Sequence, residues 1–136
     1  MLLDQTVLQA KRFGVITCSQ MTSLGEAAGI MAAEDISALV VTDDAGYLAG
    51  VITRTDLLRA LTTLEDWAPL PVKTIMSTEV VTVPSHASLR KVAGLLLDKH
   101  IHRIIVTREE AGKQRPVSVI SAADLVYHMA KAAKAG

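Results

Sequence analysis

Near the end of its first half the sequence reads Gly50-Val51-Ile52-Thr53-Arg54-Thr55-Asp56-Leu57-Leu58, in which an apolar strand passes directly into a helix. Thr53 stands at the junction, where its hydroxyl can cap the new helix. The same arrangement returns near the C-terminus as Ser118-Val119-Ile120-Ser121-Ala122-Ala123-Asp124-Leu125. In both places a hydroxyl residue comes three positions before an aspartate. We therefore expect the chain to fold as two related units.

The repetition extends over nearly the whole chain. Two further runs match each other, Ile36-Ser37-Ala38-Leu39-Val40-Val41-Thr42 and Ile101-His102-Arg103-Ile104-Ile105-Val106-Thr107. Thr17 corresponds to Thr82, 65 positions later, whereas Thr53 and Ser121 are 68 positions apart. We place the three extra residues of copy two in a longer turn around Glu109 to Arg115. A long repeat that is present only twice predicts a paired module with a shared core rather than a solenoid.

Each copy is predicted to have the order β-α-β-β-α. In copy one we expect strands at 15–17, 38–42 and 47–52, and helices at 24–33 and 54–64, with a Ser23–Glu26 capping box opening the first helix. In copy two we expect strands near 80–83, 103–107 and 116–120, and helices near 88–99 and 122–134. Residues 1–12 are predicted to form a short amphipathic helix, and Pro69 and Pro71 mark a stiff linker between the copies.

The composition is that of an ordinary compact domain. The chain has 136 residues, of which 50% are hydrophobic, and its fourteen basic side chains balance fourteen acidic ones. A neutral chain gives no electrostatic support to nucleic-acid or membrane-surface binding. Cys18 is the single cysteine, which excludes an internal disulfide and fits a reducing compartment. With no membrane-length apolar run and no signal-peptide pattern, we expect a cytoplasmic protein.

The two hydroxyl–aspartate pairs are the candidate chemistry. A strand-to-helix junction presents unpaired backbone N–H groups and the positive end of the helix dipole, which together favour a phosphate. An aspartate one turn further on can accept hydrogen bonds from the vicinal hydroxyls of a ribose. Phosphate and ribose at one junction indicate a nucleotide. The alternative is that each pair is only a good helix N-terminus, since a duplicated fold also duplicates its caps.

At this point the chain resembles a tandem pair of cystathionine-β-synthase (CBS) domains, also called a Bateman module. The resemblance rests on the two hydroxyl–aspartate stretches, the two matched apolar runs, and Val72-Lys73-Thr74-Ile75-Met76-Ser77 ahead of copy two. On this basis we divide the chain into an N-terminal segment (1–13), CBS motif 1 (14–66), a linker and lead-in (67–77) and CBS motif 2 (78–134). The implied fold class is α/β (α+β), with two β-α-β-β-α units packed about a pseudo-twofold axis.

The resemblance also implies a function, which is a stand-alone regulatory module. Relatives bind AMP, ADP, ATP or related adenosyl ligands in clefts between the two motifs, and they dimerise through equivalent helices. A homodimer that passes its ligand state to a regulated partner protein is therefore expected, with an adenine nucleotide as regulatory ligand and no required cofactor. The residues that the resemblance places at the nucleotide sites are Thr17, Ser37, Ala38, Thr53, Arg54, Thr55, Asp56, Thr82, His102, Arg103, Ser121 and Asp124.

The two copies are not equivalent. Arg54 puts a cation beside the hydroxyl of copy one, whereas copy two has His102 and Arg103 at its strand entrance. Ser118 also replaces the motif glycine, Gly50, where a side chain could crowd the site. These differences favour two sites by ancestry with unequal occupancy.

Other functions find less support in the sequence. His86, His100 and His102 are close together in the sequence. Without a supporting cysteine or carboxylate pattern they do not indicate a metal site. No constellation typical of catalysis is present, and we do not expect an enzyme. The leading alternative is a ligand-free module that serves dimerisation or docking.

Overall fold

The computed structural model describes residues 1–11 and 14–135. By its internal contacts the chain divides into two compact units. The copy-one unit is Ile16–Val80, and the copy-two unit combines Met1–Val15 with Val81–Gly136. The N-terminal segment therefore belongs with the second copy of the repeat rather than with the first.

The described elements follow the predicted order in both copies. The strands are β1 (Thr17–Ser19), β2 (Ala38–Thr42), β3 (Leu48–Thr53), β4 (Thr82–Pro84), β5 (Arg103–Glu110) and β6 (Lys113–Ser121). The helices are α1 (Val7–Ala10), α2 (Leu24–Glu34), α3 (Arg54–Thr63), α4 (Leu89–Asp98) and α5 (Ala122–Ala135), with short 3-10 turns at Leu2–Asp4 and Val72–Thr74. Among the described residues, no helix combines the length and apolar character needed to cross a membrane.

Each unit contains one three-stranded sheet of the same topology. The strand orders are β1-β2-β3 and β4-β5-β6, with the first pair parallel and the second antiparallel. The register of the second pair shifts at matched places, between Val41 and Thr42 in one sheet and between Val106 and Thr107 in the other. The sequence repeat is therefore reproduced down to its β-bulge, and the α/β fold class is confirmed.

One face of each sheet packs on the helices of its own unit. In the copy-one unit, Leu39, Val41 and Ile52 join Leu24, Ala27 and Met31 in a single buried cluster. The corresponding copy-two cluster combines Ile104, Val106 and Ile120 with residues of α4. Because side chains alternate along a strand, the opposite face carries Thr17, Val40 and Thr53 in copy one.

A segment ahead of each copy repeats as well, which the sequence comparison missed. Residues 5–11 and 70–76, here called the lead-in segments, each begin with an antiparallel bridge, Thr6 to Ser88 and Pro71 to Ser23. In each, a backbone carbonyl accepts from the first residue of a helix, at 2.8 Å in both units. The next residues, Val7 and Val72, are fully buried. Only these valines matched in sequence, so the repeat signal was too weak to read.

Three local expectations were wrong. The first strand of copy one begins at Thr17 rather than Val15. The N-terminal residues form a 3-10 turn and the short helix α1 instead of one continuous helix, because Thr6 between them is extended and caps α1. Arg12, near the end of the predicted helix, lies outside the described residues. The supposed long turn around Glu109 to Arg115 consists mostly of strand, with β5 and β6 joined at Ala111 and Gly112, which both have positive φ.

The extended hairpin, whose strands pair along their whole length, also carries a cluster of surface ion pairs. The carboxylate of Glu110 lies 2.9 Å from Arg108 and 3.0 Å from Arg115. Hydrogen bonds from Arg115 and then Arg108 lower the pKa of Glu110. Glu110 is thus the last residue of β5, with two cationic partners, rather than part of a long turn.

Gly50 on β3 offers a test of how closely Met76 and Ser77 approach this strand. A Cβ built at Gly50 would lie 2.5 Å from the Ser77 carbonyl oxygen and 3.0 Å from the Met76 sulfur. We expect Gly50→Ala to destabilise the protein by about 1–3 kcal/mol in urea unfolding, because backbone must move. Gly29→Ala is the control, since its Cβ meets nothing within 4 Å in α2 and should stabilise by roughly 0.5–1 kcal/mol. Equal effects of the two substitutions would contradict the close approach.

Candidate functional site

The junction of β3 and α3 is built by reciprocal hydrogen bonds between Thr53 and Asp56. Thr53 is extended, with φ −116° and ψ 166°, and it is the last residue before the helix. Its hydroxyl accepts from the Asp56 N–H at 3.2 Å. In return, the backbone N–H and the hydroxyl of Thr53 both donate to Asp56 Oδ2, at 2.8 and 2.9 Å. This is a complete capping box, which fixes the carboxylate at the helix N-terminus.

The junction of β6 and α5 has the same geometry. The backbone N–H and the hydroxyl of Ser121 donate to Asp124 Oδ2 at 2.8 and 3.0 Å, and the Ser121 hydroxyl accepts from the Asp124 N–H at 3.2 Å. Asp56 and Asp124 are therefore equivalent in their local bonding as well as in the sequence repeat. The capping role predicted for the hydroxyl residues is present at both junctions.

The bonding leaves the carboxylates partly accessible while the hydroxyl protons are engaged. The side chain of Asp56 is 17% exposed and that of Asp124 is 30% exposed. In this arrangement Thr53 and Ser121 give their hydroxyl protons to the aspartates, so either must rotate before it can donate to an anion. In each pair the aspartate, rather than the hydroxyl residue, is therefore already oriented to contact a ligand.

The neighbouring predicted residues are brought to the same junctions. The carbonyl of Ser37 accepts from the Arg54 N–H at 3.1 Å, and that of His102 accepts from the Ala122 N–H at 3.0 Å. Ala38 pairs with Thr53 across the sheet, and Arg103 pairs with Ser121. Thus both strand entrances lie against the helix starts, as the repeat predicted.

Thr17 and Thr82 lie on the first strands of their sheets. Thr17 pairs with Val40, which pairs with Val51; Thr82 pairs with Ile105 in the same way. Paired residues share a face, so Thr17 lies on the face of Ala38 and Thr53. Each threonine therefore lies on the same sheet face as the capping residue of its unit. The threonine is on the first strand of the sheet, the capping residue is on the third, and the second strand lies between them.

Of the two cations near the copy-one junction, Arg54 pairs away from Asp56 and Arg59 pairs with it. A guanidinium nitrogen of Arg54 lies 3.2 Å from Asp35 Oδ1, and both side chains are exposed. Arg59, one turn along α3, lies 3.5 Å from Asp56 Oδ1 and is largely exposed. Thr55 is exposed in the first turn of the helix. Exposed pairs of this kind contribute little stability and are readily exchanged for other partners.

Arg54 also lines an apolar cavity in the copy-one unit. The cavity has a volume of about 320 Å³, and its walls are Ala28, Arg54, Leu57, Leu58, Leu61 and Trp67. Trp67 packs against the copy-one core, as expected of a linker residue. The cavity lies along α3 and begins at the first turn, which also carries Asp56.

The histidines of copy two do not form a cluster. His102 is exposed and precedes β5 directly, and His100 occupies the left-handed region with φ 53°. Within residues 1–11 and 14–135, no group of three or more His, Cys, Asp or Glu side chains is arranged to hold a metal ion.

The sequence comparison missed one site residue, Lys11. Its Nζ lies 2.8 Å from Asp124 Oδ2, with the two side chains 33% and 30% exposed. Burial tends to raise the pKa of Asp124, but the hydrogen bond and charge of Lys11 and the Ser121 bonds outweigh it and lower that pKa. No motif marks this lysine, since its partner lies 113 positions away. At the equivalent position of the other lead-in stands Met76.

The comparisons with known proteins decide the family. The family model of the CBS domain matches the chain twice, over residues 10–63 and 72–131. The chain belongs to the CBS-domain family. Pairs of CBS domains are regulatory modules, and proteins made of CBS domains alone are generally regulatory rather than catalytic.

Solved CBS-domain structures resemble the whole fold. A CBS-domain containing protein from Agrobacterium tumefaciens is 29% identical, with TM-score 0.77, covering 90% of this chain and 95% of that one. The CBS domain pair of protein MJ0100, in complex with 5′-methylthioadenosine and S-adenosyl-L-methionine, is 24% identical, with TM-score 0.82 and coverage of 93% and 97%. The second likeness shows the fold alone.

A curated relative is longer than this chain. An uncharacterized protein of Methanocaldococcus jannaschii is 26% identical over 140 residues, which cover 93% of this chain. The match spans 32% of that relative, about a third of its length.

The Lys11–Asp124 contact predicts how acid acts on the CBS pair. Because the folded pKa of Asp124 lies below its unfolded value of about 4, its stabilising contribution is present above that pH and is lost as the pH falls through the folded pKa. We expect the stability difference between wild type and Asp124→Asn, from urea unfolding, to be constant between about pH 5 and 7 and to shrink below about pH 4.

A second background separates the contribution of Lys11. In Lys11→Met, the same Asp124→Asn substitution should cost less at pH 7, because its charged partner is gone. A difference that is independent of pH, or equal in the two backgrounds, would show that the contact does not stabilise the protein.

Proposed function

We propose that this CBS pair is a regulatory module that binds an adenosyl ligand, either AMP, ADP, ATP or a related compound, and passes its ligand state to a partner protein. The observation that carries the proposal is the pair of equivalent, partly exposed carboxylates fixed at helix N-termini by Thr53 and Ser121. The ligand would act as a regulator and not as a required cofactor. No chemical step is part of the function.

The carboxylates suit the ribose. Asp56 Oδ2 already accepts two hydrogen bonds from Thr53, so its orientation is set before any ligand arrives. A preorganised acceptor pays less ordering entropy when it takes the vicinal hydroxyls of a sugar. Its Oδ1 faces the largely exposed Arg59 at 3.5 Å, an interaction that a ribose can replace.

The surroundings suit a phosphate. The starts of α3 and α5 place the positive end of a helix dipole at each junction, which favours an anion there. In copy two, Arg103 stands opposite Ser121 in the sheet and adds cationic character to the strand entrance. The adenosyl ligands bound to the CBS pair of protein MJ0100 further support this class of ligand.

Regulation would operate by population shift. A ligand with greater affinity for one conformation of the module increases the population of that conformation, and a partner that contacts the same conformation reads the change. We propose a cytoplasmic location for this process, and the single buried cysteine, Cys18, is compatible with a reducing compartment.

A ligand-free dimerisation or docking module is the second candidate. It is favoured by the capping boxes, which account for both aspartates without any ligand. It is favoured also by apolar side chains left exposed on two helices, with Leu58 and Leu61 on α3 and Val126 and Met129 on α5 more than half exposed. The two candidate functions are distinguished by separate measurements of ligand binding and of dimer formation.

The ligand is tested by calorimetry with AMP, ADP, ATP, S-adenosylmethionine and cyclic dinucleotides. We expect at least one adenosyl ligand to bind wild type, and Asp56→Asn, Asp124→Asn or both to weaken that binding about tenfold or more, since a charged acceptor is lost. Thr62→Ala, an exposed change on the last turn of α3, is the control that should leave affinity unchanged.

The ligand-free alternative gives the opposite result. If the aspartates serve only as helix caps, each substitution costs about 1 kcal/mol of stability in thermal unfolding and alters no affinity. A wild-type protein that binds none of these compounds would refute the sensor function.

Homodimer formation is part of the proposal and rests on the exposed apolar faces of α3 and α5. We expect wild type to elute as a dimer in size-exclusion chromatography with light scattering, since such patches usually mark an interface. Leu58→Glu or Val126→Glu should shift it towards monomer by placing a charge there. Thr63→Glu adds the same charge on the other side of α3, five residues after Leu58, and should keep the dimer. A monomeric wild type would exclude this part of the proposal.

A further inference from the structure

The N-terminal lead-in segment is fastened over the copy-two unit at several points. Its Val7 and Leu8 N–H groups donate to Ala87 and Ser85 carbonyls at 2.9 and 3.0 Å. The Ala10 carbonyl oxygen lies 2.7 Å from His128 Nε2 on α5. Lys11 follows directly and reaches Asp124. The lysine is thus delivered to the carboxylate by an anchored backbone rather than by a loose tail.

The contact uses the oxygen that the capping box has already engaged. Asp124 Oδ2 accepts from the Ser121 N–H, the Ser121 hydroxyl and Lys11 Nζ, all within 3.0 Å. At copy one, Asp56 Oδ2 accepts the two corresponding bonds from Thr53, and its other oxygen faces Arg59 at 3.5 Å. The equivalent lead-in position is Met76, an uncharged residue whose side chain lies beside Gly50.

We infer that Lys11 decides which of the two sites takes a ribose: it holds Asp124 as an internal cationic substitute for the sugar hydroxyls, so that the Asp56 site binds adenosyl ligands more tightly. This inference rests on the proposed function and adds to it the ranking of the sites. A ribose at copy two must displace a charge-assisted hydrogen bond of 2.8 Å to a half-buried lysine, whereas a ribose at copy one displaces a 3.5 Å contact to an arginine that is largely exposed.

Lys11 has a second possible role, which is to bind a phosphate, and titrations with adenosine and with AMP distinguish the two roles. An ammonium group near a helix N-terminus could also attract a ligand phosphate. Adenosine carries the base and the ribose but no phosphate, so its binding reports the ribose contact without any phosphate contact. AMP carries both groups. A lysine that competes with ribose and a lysine that binds phosphate therefore predict opposite changes.

The experiment is calorimetric titration of adenosine and of AMP into wild type, Lys11→Met and Lys11→Arg. Lys11→Met copies the residue that stands at the equivalent position of copy one. In wild type, the tighter adenosine site should disappear with Asp56→Asn. In Lys11→Met, the Asp124-dependent site should bind adenosine roughly tenfold more tightly or better, because a competing charged bond is removed.

Two control variants show whether the effect depends on the positive charge at position 11. Lys11→Arg keeps the cation and should bind as wild type does. Lys73→Met removes an exposed cation from the other lead-in segment and should also leave both sites unchanged. Hydrogen exchange of residues 5–11, followed by mass spectrometry, checks that the segment in Lys11→Met still folds onto the copy-two unit. If that segment unfolds, the Asp124 site should open still further to adenosine.

The failures are distinguishable. Absence of binding in wild type and in Lys11→Met would overturn the proposed function together with this inference. Binding at Asp56 without any gain at Asp124 in Lys11→Met would overturn the inference alone. Tighter wild-type binding at Asp124 than at Asp56, or weaker AMP binding at the Asp124 site in Lys11→Met, would likewise overturn it and would assign Lys11 to the phosphate.

Discussion

Each unit of this CBS pair depends on one interaction, the bond between an aspartate carboxylate and the backbone N–H of the hydroxyl residue three positions before it. The bond measures 2.8 Å at Asp56 and at Asp124. It lies where a strand ends and a helix begins, with the hydroxyl residue as the last residue of the strand. It also holds a charged group, partly exposed, where the helix dipole favours an anion. Structure and candidate function therefore rely on the same carboxylate.

This double use explains why the two candidate functions share their residues. A capping box alone justifies a threonine and an aspartate at this spacing, and it does so whether or not a ligand binds. What distinguishes a binding site is the remaining capacity of the carboxylate. At Asp56, Oδ1 faces an exposed arginine at 3.5 Å, whereas at Asp124, Lys11 adds a third bond, at 2.8 Å, to the Oδ2 that the cap already uses. Inequality between the copies thus arises from a lead-in segment and not from the motif itself.

The sequence predicted much of the fold because local signals and the repeat agreed. Helix starts at Ser23, Thr53 and Ser88 were recognised from their caps, and all three side chains accept from the expected N–H, although of the predicted Ser23–Glu26 capping box the structure has only the bond to Ser23. Errors occurred where no local signal exists. The β5–β6 hairpin was taken for a loop because charged residues usually face solvent, yet the two-residue turn at Ala111 and Gly112 allows the strands to continue.

By itself the sequence determined the two-copy organisation, the order of strands and helices, and the matching hydroxyl–aspartate junctions. These follow from residue spacing, which local backbone geometry converts directly into caps and strand faces. Only the tertiary structure decided that the lead-in segments complete the units and that Lys11 reaches Asp124. Such contacts join residues far apart in the chain, and spacing carries no information about them. Their existence depends on how fully buried valines, Val7 and Val72, seat each segment on its unit.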